Sequence, residues 1–169
     1  MPREIRNLAA SVHQRLLDMA RETDRPFNEL LQHFAIERFI YRLSRSTHKK
    51  KFILKGALML PVWSGSTSRP TMDIDCLGRM DNNLDLIAST ARDICNVSAV
   101  PDGMTFDTGS IATTRIAEDT GYEGARIKLR GNLGNARVSI QLDIGFGDVV
   151  VPGRTGSNIR GCWIFRLRN

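Results

Sequence analysis

The chain has 169 residues, 41% hydrophobic and 25% charged, with a net charge of +6, which suits one soluble domain with a core of its own. No apolar run approaches the ~20 residues that span a bilayer, and the first residues lack the apolar stretch of a signal peptide, so a cytoplasmic protein without membrane contact is expected. Cys76, Cys95 and Cys162 are odd in number and scattered, and His13, His33 and His48 show no ligand spacing with them, which argues against a disulfide framework or a zinc site.

The first helix is read from Ile5, Leu8, Val12, Leu16 and Met19, apolar residues at steps of three and four over roughly 4–22. Arg25-Pro26 ends it, and Pro26 suits the first turn of a second helix to about Arg45. His48-Lys49-Lys50-Lys51 closes this helical segment, residues 1–51, which carries 11 Lys and Arg against 6 Asp and Glu.

At Phe52 the pattern changes. Phe52-Ile-Leu54 reads as a short buried strand, Ala57–Trp63 as one or two helical turns, and Ser64–Pro70 as a loop. Met72–Leu77 alternates apolar and acidic residues and reads as a second strand. Asn82 or Asn83 can cap a helix carrying Leu84, Ile87, Ala91 and Ile94. From Met104 the pattern is β, with short strands expected around 104–107 and 110–117, clear alternation over Ala125–Leu129 and Ala136–Ile144, and a hairpin connection at Arg130–Asn135. The expected architecture is α/β: N-terminal helices, then a core over 52–153 with a mixed sheet, then an atypical tail over 154–169. The core holds 9 Lys and Arg against 12 Asp and Glu, and the tail four arginines and no acid. A basic front and tail around an acidic centre suits a protein that grips a polyanion and gathers carboxylates at a metal.

The chemistry is concentrated in Arg69-Pro-Thr-Met-Asp73-Ile-Asp75. Residues two apart on a strand share a face, so Asp73 and Asp75 present paired carboxylates with Ile74 buried behind. Two such anions repel, and hard oxygen ligands favour Mg²⁺ or Mn²⁺ as the companion. A third carboxylate, Asp143, ends another alternating strand in Gln141-Leu-Asp-Ile-Gly145. A neighbouring strand could set it beside the pair, as in the two-metal arrangements that align a hydroxyl with a nucleoside triphosphate. Gly56, where a strand leads into a helix, and Gly65-Ser66, in the loop before the acidic pair, are both candidates for cradling phosphate with backbone N–H groups.

Three runs, Phe52-Ile-Leu-Lys-Gly-Ala-Leu58, Arg69-Pro-Thr-Met-Asp-Ile-Asp-Cys-Leu-Gly78 and Val138-Ser-Ile-Gln-Leu-Asp-Ile-Gly-Phe-Gly-Asp148, together resemble the AbiEii/AbiGii toxin family. These are polymerase-β-type nucleotidyltransferases of type IV toxin–antitoxin and phage abortive-infection systems. The resemblance covers residues 5–153. It implies Mg²⁺-dependent transfer of a nucleotide from an NTP, with Asp73, Asp75 and Asp143 as metal-binding catalytic residues. It also implies Lys55 and Gly56 as the family's Lys-Gly step, Arg69 and Thr71 close to the triphosphate, and a cognate antitoxin. Some relatives add nucleotides to the tRNA acceptor end, which makes RNA, tRNA included, the implied acceptor. Two features depart from the family: Met72 stands where a second basic residue is common, and nothing after Arg154 matches its helical C-terminal half. A chain cut short of that half is expected to be a poor enzyme. Two alternatives stand beside the transferase: a catalytically inactive remnant, and a basic nucleic-acid-binding module built on the N-terminal helices.

Overall fold

The structure is a computed structural model that describes residues 7–55, 72–117 and 123–146. Helix α1 spans Leu8–Thr23 and starts at Asn7, whose side chain accepts from the Ala10 N–H at 3.0 Å. It ends at Asp24 in the left-handed conformation, φ 52°. The chain turns at Arg25-Pro26, and α2 runs over Phe27–Arg45. A 3₁₀ turn at Lys49–Lys51 leads into β1, Phe52–Leu54. Strand β2 is Ile74–Gly78, and α3 is Leu84–Cys95, capped by the Asn83 side chain on the Leu86 N–H at 3.0 Å.

The remaining described elements are three long strands: β3 (Met104–Ala117), β4 (Glu123–Leu133) and β5 (Ala136–Gly145). The two short strands expected over 104–117 are one strand. Its pairing with β4 shifts register between Asp107 and Ala112, an irregularity that reads in sequence as a break. The β4–β5 hairpin is also longer than its alternation suggested. Pairing continues to Leu133 and Ala136, so only Gly134 and Asn135 turn. Gly134 has φ +60°, the backbone that a two-residue hairpin loop with glycine first requires. The turn predicted over Ala57–Trp63 lies outside the described residues.

The five strands form one mixed sheet in the order β1-β2-β5-β4-β3. Only β2 and β5 run parallel. One face of the sheet is apolar: Ile74 and Cys76 on β2, Ile127 and Leu129 on β4, and Ile140, Leu142 and Ile144 on β5 are buried. Residues of all three helices join these in a single core, including Leu16, Phe34, Phe39 and Ile87. The helices cover this face because each lays its apolar stripe on the alternating apolar residues of the strands.

One polar tie crosses the core. Arg42 of α2 donates to both carboxylate oxygens of Asp102, at 2.9 and 3.2 Å, and to the Met104 carbonyl at 3.1 Å. Asp102 in turn accepts from the Met104 N–H at 2.9 Å. Both side chains are buried, and the pair fixes the start of β3 against α2.

Candidate active site

The alternation that buries Ile74 and Cys76 points Asp73, Asp75 and Leu77 to the opposite face of the sheet. Asp73 immediately precedes β2, and both it and Asp75 are exposed. The register then supplies their neighbours. Asp75 stands opposite Asp143 across the parallel pair. Asp143 stands opposite Arg126 across β4–β5. On the other side the β1–β2 ladder runs one residue past the strand, with the Lys55 N–H donating to the Asp75 carbonyl at 2.8 Å. Directly opposed residues share a face, so one row crosses four strands: Lys55, Asp75, Asp143, Arg126. Two adjacent carboxylates are flanked by a cation at each end.

The Arg126–Asp143 contact is bidentate, with Nε and Nη2 donating to the two carboxylate oxygens at 2.8 and 2.7 Å. Such forks are the strong form of carboxylate pairing. The Gln141 amide, with its oxygen toward the guanidinium, accepts from the same two nitrogens at 3.2 and 3.3 Å. The hydrogen bond to Asp143 holds the Arg126 guanidinium to its proton more tightly than usual. The Asp75 carboxyl is raised above its ordinary value, first by partial desolvation against the sheet and then by the facing Asp143, with Asp73 adding to it and Lys55 and Arg126 opposing. Cys76, next in the chain, is wholly buried and its thiol is pushed up to about 12 by that burial, so it is inert.

Gln32 of α2 supports this arrangement from behind. Its side-chain nitrogen donates to the Ser139 carbonyl at 2.7 Å and to the Met72 carbonyl at 3.2 Å. Registered pairing of β2 with β5 begins at Ile74 and Leu142. Ser139 lies before that point, and the amide supplies a donor where β2 has not yet begun. The bond to Met72 fixes the backbone one residue ahead of Asp73.

The donor set has the chemistry of a hard divalent-cation site: carboxylate oxygens packed closely enough to repel, with Asp73 and Asp75 exposed to solvent. Asp143 shares its oxygens with Arg126, and among the described residues no three acidic, histidine or cysteine side chains close into a metal-holding group. Of the residues singled out from sequence, the structure brings together Lys55, Asp73, Asp75 and Asp143. Gly56, Gly65, Ser66, Arg69 and Thr71 lie outside the described residues. Sequence reasoning missed Arg126 and Gln32. The signal for Arg126 was its place in the alternation of β4, but which residue it opposes depends on strand order and register.

A family model described as nucleotidyl transferase AbiEii toxin, type IV TA system, matches residues 38–159. No curated protein matches. Among solved structures, JHP933 from Helicobacter pylori is similar at 17% identity and a TM-score of 0.40. The match covers 73% of this chain, and the chain spans 46% of that protein's length.

Proposed function

The chain belongs to the AbiEii nucleotidyl transferase toxin family of type IV toxin–antitoxin systems, and from that premise we propose that its β2–β5 site transfers a nucleotide from an NTP to an RNA hydroxyl. The observation that carries this reading is the row Lys55, Asp75, Asp143, Arg126, with Asp73 beside it. Asp73 and Asp75 would hold Mg²⁺ or Mn²⁺, which supplies charge neutralisation for the triphosphate when bound. Lys55, exposed beside Asp75, meets a phosphate as a point charge. Arg126 keeps Asp143 oriented, and a fixed orientation is most of what such a transfer asks of the protein.

In the reaction the acceptor oxygen bonds to the α-phosphorus and the bond to the bridging oxygen breaks, releasing pyrophosphate. The hydroxyl proton is taken up by the carboxylate of Asp143, which faces Asp75 across the strand pair and is held in place by Arg126. A cognate antitoxin is the protein partner this reading carries.

The test is to incubate the chain with labelled NTPs, Mg²⁺ and total tRNA, beside Asp75→Asn and a full-length relative. Label transfer slower than the relative's, requiring Mg²⁺ and falling at least about a hundredfold in Asp75→Asn, is expected, since the lost carboxylate acts in the transition state. Transfer that survives the substitution removes the site from the chemistry. Transfer by the relative alone removes the activity from this chain.

A further inference from the structure

The face of the sheet that carries Asp75 continues past it as a basic surface. On β4, Arg126, Lys128 and Arg130 alternate with the buried Ile127 and Leu129, so all three point away from the helices. Lys128 and Arg130 are exposed. Register places Gln141 opposite Lys128, Ser139 opposite Arg130 and Arg137 opposite Asn132. Arg137 therefore extends the line onto β5, and it too is exposed. These cations recur about every 6.8 Å along the strand, a spacing comparable with the phosphate repeat of an extended single strand. Among the described residues no carboxylate pairs with Lys128 or Arg137. Arg130 reaches Asp107 at 3.3 Å, but both side chains are more than 40% exposed, and such a pair is weak and exchangeable. Asp107, Arg130, Asn132 and Arg137 also line a depression of about 250 Å³, room enough for a phosphate group.

We propose that Lys128, Arg130 and Arg137 form a track for the phosphate backbone of a single-stranded RNA, leading along the face of the sheet turned away from the helices to the Asp75–Asp143 pair. Charge complementarity and continuity with the carboxylates favour this occupant. Three cations stand in line on one face, and the line ends at the carboxylates through Arg126, which is already committed to Asp143. The other dense basic run, Lys49–Lys51, lies at the start of β1, the end of that strand remote from Lys55 and Asp75. A strand held there would not lead into the site. That the bound RNA is the acceptor rests on the nucleotidyl-transfer reading; that the track binds RNA does not.

The test is fluorescence anisotropy with a labelled oligouridylate over a range of salt concentrations. It compares the chain with Lys128→Gln/Arg130→Gln/Arg137→Gln and with Lys49→Gln/Lys50→Gln/Lys51→Gln. Losing three phosphate contacts lowers the slope of log affinity against log salt by about two, and affinity by about a hundredfold near 0.1 M salt. The lysine-run variant is expected to bind like the parent. All exchanged residues are half-exposed or exposed, and circular dichroism melts check that each variant folds. The single variant Arg137→Gln, losing about 0.7 in slope, serves if the triple variant does not fold.

An unchanged slope in the track variant overturns the proposal. So does loss that follows the lysine run instead, failure of the parent chain to bind the RNA, or binding of phosphatidylserine vesicles in place of RNA. Asp75→Asn separates the two readings. It is expected to keep RNA affinity while losing label transfer, whereas RNA binding by the parent chain with no transfer sinks only the catalytic reading.

Discussion

Asp75 and Asp143 stand directly opposite one another across the parallel β2–β5 pair, although 68 positions apart in number. The Asp75 carboxyl is raised by partial desolvation and by that facing anion. A folded state that binds the proton more tightly than the unfolded chain is most stable with the proton on. Its stability falls as pH rises from the ordinary value of 3.8 through the raised folded value. At neutral pH the charge on Asp75 is thus a liability. Asp75→Asn is expected to raise stability by about 0.5 kcal/mol there, a small figure because the side chain is exposed and screened. The gain disappears below the ordinary carboxylate value. Urea midpoints at neutral and acid pH measure both, and a variant less stable than the parent at neutral pH contradicts the account.

Arg126 offsets the same repulsion from the other side. With the guanidinium gone, Asp143 loses two charge-assisted hydrogen bonds. Arg126→Gln is expected to cost about 1 kcal/mol, since the pair is partly exposed. A divalent cation can then do what the guanidinium did. The rise in melting temperature on adding MnCl₂ should therefore be larger in the variant than in the parent. Equal responses in the two proteins would separate Asp143 from the cation site.

Arg42 and Asp102 test the scaffold and not the site. Asp102→Ala leaves a buried guanidinium without its counter-ion, which typically costs about 3–5 kcal/mol. Replacing both at once, Arg42→Met/Asp102→Leu, removes the orphaned charge and should recover most of that loss. Guanidinium-chloride unfolding of the three proteins decides it. A single variant within about 1 kcal/mol of the parent would show that water reaches the arginine.

The sequence by itself determined the local elements and part of the site. Apolar steps of three and four define α1 and α2, and alternation defines β2 and β5, because both periods follow from backbone geometry alone. Asp73 and Asp75 share a face for the same reason, and Ile74 between them is buried. Local pattern was weaker where pairing overrides it, as in β3, whose register shift reads as a gap between two strands. What only the tertiary structure decided is who stands beside whom. Nothing in Gln141-Leu-Asp-Ile states that β5 lies parallel to β2, or that Asp143 rather than Gln141 opposes Asp75. Moving that register by one residue would turn every side chain of β5 over and expose Ile140, Leu142 and Ile144. The helices fix it by burying those three residues. Arg126 and the basic line beyond it become neighbours of the carboxylates by the same constraint, through contacts between strands that no local period encodes.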